Sequence, residues 1–113
     1  MAVIKLMKQL KITGCVCESK ETITGAMIYE ARKNKFVVLH IGGTDEALRE
    51  FIRKYYDKLT SDRRTKIVFY IKESQLNVCE IIKEFGGIAT HCDRGMIRMV
   101  LMLGWHNENL VAA

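Results

Sequence analysis

Three histidines, four cysteines and a short basic cluster are the side chains of this sequence that could do chemistry. His40 lies within an apolar stretch, KFVVLHI, from Lys35 to Ile41. An imidazole titrates near neutrality, so His40 is a candidate general base. A hydrogen-bonded place on a strand is the competing role. His91 and His106 have no obvious carboxylate partner in sequence. Cys15 and Cys17 stand one residue apart in an alternating pattern, which puts both thiols on one face of a strand. Their spacing is not the C-x-x-C of zinc knuckles and thioredoxin-like sites. His91 and Cys92 could complete a four-ligand set with them, but cysteine more often behaves as a small buried hydrophobe. No metal is expected. Arg63, Arg64 and Lys66 form a basic cluster at a loop edge, suited to contact with nucleic acid or another anion. Tyr55, Tyr56, Phe69 and Tyr70 lie beside basic residues, as RNA-stacking aromatics do, but their spacing also fits core stripes. No Gly-x-Ser-x-Gly, Walker loop or His-Glu-x-x-His motif occurs.

The elements that must position these residues are set by hydrophobic period. Residues 10–17 alternate at period two and predict a strand. A polar turn, 18–21, leads to a second strand over 22–31. Arg32-Lys33-Asn34 is a hairpin turn in which Asn can take positive φ. The apolar run 35–41 predicts a strand covered on both faces. Gly42-Gly43 ends it, and Thr44 is a good N-cap. Ala47/Leu48, Phe51/Ile52, Tyr55/Tyr56 and Leu59 then recur every four residues, which predicts a helix over 44–60. Asp45 with Arg49 and Glu50 with Lys54 are favourable i,i+4 pairs on its outer face. A buried strand follows over 66–72. Ser74 can cap a second helix with Leu76, Cys79, Ile82 and Phe85 on one stripe, closed by Gly86-Gly87. Residues 88–93 and 96–103 are two last strands around an Asp93-Arg94-Gly95 turn. The order is β-β-β-α-β-α-β-β, with one more short strand available in residues 1–9 and a tail over 104–113. The fold class is α+β: a mixed, mostly antiparallel sheet with two main helices.

Composition bounds the rest. The chain has 113 residues, enough for one domain with its own core. Apolar residues make up 49% and charged residues 27%, which excludes a disordered or low-complexity chain. No segment reaches the ~20 apolar residues of a membrane span, and the N-terminus lacks the pattern of a signal peptide. A cytoplasmic location is expected, with the four cysteines reduced. The net charge is +5. Lys5, Lys8, Lys11, Lys20, Arg32, Lys33 and Lys35, against Glu18, Glu21 and Glu30, concentrate it in the first 35 residues. That excess is mild for a dedicated nucleic-acid binder, so nucleic acid is an admissible but unfavoured partner.

The element order from Phe36 onward, ending in IIKEFGGIATHCDRGMIRMVLML, resembles the second half of the GNAT acetyltransferase superfamily. The hairpin from Lys11 to Ala31 would stand for that family's second and third strands. The resemblance covers about 90 residues and rests on element order and hydrophobic pattern. It implies acetyl coenzyme A as cofactor, held at Val38, Leu39, Gly42, Gly43 and Thr44 and reachable by Asn77. It also implies that His40 lies where the family's fourth strand splays to admit the acetyl group.

The departures limit what that resemblance carries. The family's signature after its fourth strand is Arg or Gln, two residues, Gly, one residue, then Gly or Ala, and it holds the cofactor pyrophosphate. Here the turn reads Gly42-Gly43-Thr44-Asp45-Glu46-Ala47. The basic residue is absent, and two carboxylates stand where phosphates would. The family's Tyr acid, four residues before the Gly that ends its last helix, is Ile82 here. The family begins with a strand and two helices that build an acceptor groove, whereas about ten residues precede the first hairpin strand here. The expectation is a GNAT-like domain without acetyl transfer and with no cofactor, acting as a binding or assembly module. Its partner would be a protein, foremost a second copy. Such a trimmed domain suits a phage or mobile-element product. The alternatives are an acetyl-CoA-dependent N-acetyltransferase with an unusual cofactor loop, and a nucleic-acid-binding module.

Overall fold

The computed structural model describes residues 2–9, 12–61 and 65–102. Four strands come first: β1 (Ala2–Gln9), β2 (Ile12–Ser19), β3 (Thr22–Ala31) and β4 (Lys35–Gly43). Helix α1 (Asp45–Ser61), strand β5 (Lys66–Lys72), helix α2 (Leu76–Glu84) and strands β6 (Ile88–Asp93) and β7 (Met96–Met102) complete the chain. The strands form one seven-stranded sheet in the order β1-β2-β3-β4-β5-β7-β6. β1 to β4 is an antiparallel meander. α1 carries the chain across to β5, which pairs parallel with β4. β7 then inserts antiparallel between β5 and β6. The short strand that the sequence allowed within residues 1–9 is a full edge strand over Ala2–Gln9; the expected tail 104–113 lies outside the described residues.

Turn chemistry fixes the hairpins. Lys20 (φ 52°) and Glu21 (φ 64°) take the left-handed region together, as do Arg94 (φ 51°) and Gly95 (φ 77°). Two successive positive φ values match the right-handed twist of the flanking strands. The turn at Arg32-Lys33-Asn34 does not use that geometry: Asn34 is absent from the positive-φ residues, and Arg32 N–H donates to the Lys35 carbonyl at 2.8 Å.

The two helices cover one face of the sheet. Phe51, Leu48 and Ile52 of α1 and Ile81 and Ile82 of α2 close on Cys15, Cys17, Met27, Phe36, Phe69 and Met99. Two helical details differ from the sequence expectation. Leu76 is 66% exposed, and α2 packs instead through Val78, Cys79, Ile81 and Ile82. Arg49 does not pair with Asp45; its guanidinium forks onto Glu84 of α2 with two bonds of 2.9 Å. Likewise Glu50 pairs with Arg53, three residues on, at 2.6 Å, rather than with Lys54. The Arg49–Glu84 clamp joins the helices and holds the Glu84 carboxyl below its ordinary range. The Tyr55 hydroxyl is buried in this core without a hydrogen-bond partner.

The opposite sheet face has a different character. Val37, Val68 and Val100 are buried there outside the main core. Around them lie Ile12, Ile28, Tyr70, Ile88, Met96 and Met102, six of the nine large apolar side chains exposed among the described residues. Phe36, Val37 and Val38 give β4 the expected cover on both faces, but His40 further along it is exposed, and so is Tyr70, which the sequence placed in the core.

Candidate functional site

The site is built by one extra residue in β4. Ile28 of β3 faces His40, and the next residue, Tyr29, faces Val38. Leu39 is therefore left over as a bulge, which bends the strand and increases its twist. The effect appears on the other side of β4. Its parallel pairing with β5 runs from Lys35↔Lys66 to Val38↔Phe69 and stops. β5 continues along β7 through Tyr70↔Arg98 to Lys72↔Met96. β4 and β5 thus diverge, and a cleft of about 340 Å³ opens between them. Leu39 to Gly42 form one wall, Tyr70 and Lys72 the other, and Gln75 reaches in from the start of α2.

His40 lines this cleft and is exposed. No hydrogen bond or ion pair to a carboxylate orients it among the contacts of the described residues. Gly42 also lines it, and Val38 lies just below, fully buried in the core. The two glycines do not interrupt β4, as the sequence suggested; both lie within it and pair with Ala26 and Gly25 of β3. Gly25 and Gly43 let the two strands cross beneath α1, since a Cβ on Gly25 would stand 2.7 Å from the Ala47 Cβ.

One residue, Thr44, joins β4 to α1, so no extended loop separates them. Its backbone N–H donates to the Thr24 carbonyl at 2.9 Å. Its hydroxyl accepts the Ala47 N–H at 3.2 Å, as an N-cap does. Two of the amides near this helix start are thereby committed, and Asp45 and Glu46 occupy the first turn. Asn77 does not line the cleft. Its side-chain amide donates to the Asp45 carboxylate at 3.5 Å and ties the two helix starts together. Ile82 is fully buried, and a Cβ on Gly87 would come within 2.3 Å of its side chain.

The remaining candidates disperse. Cys15 and Cys17 are buried on β2 and Cys92 is exposed on β6. Five strand spacings, about 24 Å, separate those strands. The four-ligand set with His91 is therefore not assembled, and no group of three or more metal-ligating side chains occurs among the described residues. Burial pushes the Cys15 and Cys79 thiols up, and a contact with Glu73 does the same to Cys92, so none of these three is an activated thiolate. Arg63 and Arg64 lie outside the described residues. Lys66 opens β5 opposite Lys35 and Met102, away from the cleft. Lys5 is paired with Glu18 at 3.0 Å and Arg32 with Glu30 at 3.4 Å, which tempers the basic excess of the first strands. No described helix is long and apolar enough to cross a membrane.

Sequence reasoning missed Gln75 and Tyr70 as cleft residues. No signal in the sequence marked Gln75: Ser74, one residue earlier, is the better capping residue, but the structure places Gln75 at the N-cap position instead.

Comparison with known proteins gives the fold a name. No protein-family model matches the sequence, and the search of curated proteins finds no match. Solved structures do match. The N-acetyltransferase PseH of Campylobacter jejuni superposes with a TM-score of 0.67 at 8% identity, over 83% of this chain and 70% of that one. An IAA acetyltransferase from Bacillus cereus gives 0.70 at 11% identity, over 91% of this chain and 100% of that one. A Bacillus subtilis acetyltransferase solved with coenzyme A gives 0.68 at 9% identity, over 91% and 99%. At such identities the likeness speaks for architecture alone, and that architecture, a mixed seven-stranded sheet with two helices, is a GNAT-like α+β fold.

Proposed function

We propose that this GNAT-like domain is a binding or assembly module that does not transfer acetyl groups. The observation that carries the reading is the start of α1. A pyrophosphate needs free amides and a positive end there. Here the Thr44 and Ala47 amides are already bonded, and Asp45 and Glu46 bring two negative charges. Two like charges at ~4 Å repel by about 4 kcal/mol at an effective dielectric near 20 before salt screening. Arg49, the nearest cation of that turn, is held by Glu84.

Two further features support it. Ile82 fills with hydrocarbon the place where the resemblance puts a proton donor. Leu10 and Lys11 alone separate β1 from β2, which leaves no room between these strands for the helices of an acceptor groove.

The test is a titration of coenzyme A and acetyl coenzyme A followed by thermal melts. A ligand at 100 times its Kd adds about 2.7 kcal/mol of stability. The expected result is no shift at millimolar cofactor. The competing reading, an acetyl-CoA-dependent N-acetyltransferase, draws on the exposed His40 at the cleft and on the acetyl coenzyme A held by PseH. A saturable shift would overturn the argument from the helix start and revive that reading, which turnover of an acceptor amine would then have to establish.

The partner we assign is a second copy of the chain. An antiparallel sheet can leave one face to water when that face is polar, but here the face opposite the helices exposes Ile28, Tyr70, Met96 and Met102. Every residue of β6 is exposed as well, and an open edge of this kind invites pairing. Sedimentation at high micromolar concentration should find a dimer or larger species. A single monomeric boundary there sinks the assembly role.

A further inference from the structure

The sheet face opposite the helices carries a row of short apolar side chains. Val37 of β4 pairs with Val68 of β5, and Val68 with Val100 of β7. Ile88 of β6 continues the row past Val100. The three valines are 4%, 1% and 7% exposed, whereas Ile88 is 63% exposed. Both helices pack on the other face, and the valines stand outside the core that those helices close. Sheet neighbours flank a valine at about 5 Å across strands and about 7 Å along them, but they do not lie over it. A side chain that short keeps its tip open to water unless something is laid across it. Val68, in the middle of the row, is nonetheless shut off almost completely, and exposure rises at the β6 end. That is the profile of a cover over β4, β5 and β7.

The chain supplies a segment at hand. Residues 103–113, outside the described residues, follow Met102 directly. Met102 stands two positions after Val100, so its side chain points to the same face. The segment reads LGWHNENLVAA: Leu103, Trp105, Leu110 and Val111 are apolar, and Gly104 suits a reversal of the chain. Val68 lies one strand across and two residues back from Met102, which is about 8 Å. Three residues span up to about 10 Å, so Trp105 is within reach of the row. Charge agrees with this placement. Lys35 and Lys66 lie side by side at the end of the face where Met102 lies. Glu108 is the one acid of the segment, and an anion there relieves two like charges on one face.

We propose that residues 103–113 fold back over this face of their own chain, with Trp105 seated on the valine row. The cover gives the sheet a second apolar layer, as the helices do on the other side. Ile28 and Tyr70 lie one row nearer the cleft, and Met96 two rows. They stay open to a second copy. The cover does not depend on whether the domain binds a cofactor.

Trp105 is the only tryptophan of the chain, so its fluorescence reports on this segment alone. The full chain should emit at shorter wavelength than N-acetyltryptophanamide, and acrylamide should quench it several-fold less. Both properties should persist on dilution from high to low micromolar protein. Val68→Lys places a charge beneath the cover. Its emission and quenching should move to those of the free amide, with the circular dichroism of the sheet and helices kept. Should that variant not fold, Val68→Thr keeps the shape, buries a hydroxyl and should shift the emission in the same direction by less. Free-amide emission from the parent overturns the cover. So does emission unchanged in the folded variant, which would bury Trp105 elsewhere. Short-wavelength emission that is lost on dilution, together with a dimer in sedimentation, overturns it too, because the cover would then come from a second copy.

Discussion

Gly43→Val is expected to cost about 2–6 kcal/mol, a large part of the stability of a typical small domain. Gly43 has φ of +140°, a conformation that a β-branched residue avoids. A Cβ there would stand 2.5 Å from the Gly25 Cα and 2.5 Å from the Thr24 carbonyl oxygen. These are backbone atoms, so no flexible side chain can swing aside. The Thr24 carbonyl is also fixed, because it accepts the Thr44 N–H at 2.9 Å. Gly25 cannot retreat, since α1 packs on it through Ala47 and Phe51. Strained backbone costs about 1–3 kcal/mol and overpacking about as much again. Urea unfolding measures the sum. A midpoint like that of the parent would mean that β3 and β4 can separate here without cost, which would also unseat the account of the helix start.

The second large effect is expected at Phe51. Its ring is fully buried at the centre of the α1 face. It borders a narrow internal gap lined by Met27, Tyr29, Phe36, Val38 and Phe69. Phe51→Ala adds the volume of a ring to that gap, which Tyr55 also lines. Burying Phe and then truncating it costs about 3–5 kcal/mol in comparable cores. At roughly 4 °C or more per kcal/mol for a domain near 100 residues, calorimetry should find the melting temperature lowered by about 12 °C or more. A drop under about 4 °C would show that Tyr55 and Tyr29 collapse into the space.

Much of this architecture was legible in the sequence because period and punctuation agree. The four-residue recurrence from Ala47 to Tyr55 and the capping Thr44 place α1 correctly, and the observed helix spans Asp45–Ser61. Glycine at 95 marks its hairpin, and alternation puts Cys15 and Cys17 on the buried face. The candidate site was far less legible. A bulge at Leu39 leaves no mark in a run of apolar residues, because FVVLHI reads alike with or without one unpaired member. Pairing between β5 and β7 skips β6 and is a long-range choice that local periodicity does not encode. Arg49 could reach Asp45 or Glu84, and only the packing of α1 on α2 selects Glu84. Gln75 was passed over because its partner is the Ile41 main chain, and a carbonyl has no signature in sequence.

The short parallel contact between β4 and β5 has a bearing on how the chain folds. It comprises four residue pairs, and it joins two blocks that are otherwise antiparallel. The β1–β4 meander can form by successive local hairpins, and β6 with β7 by another. The seam itself needs the whole of α1 traversed before its first bond forms, so its closure entropy must be met late. Native protection from hydrogen exchange should therefore divide along this line, with the meander and the β5–β7–β6 block as separate cooperative units. The divergence that opens the cleft is also the place where the molecule is least committed to being one piece.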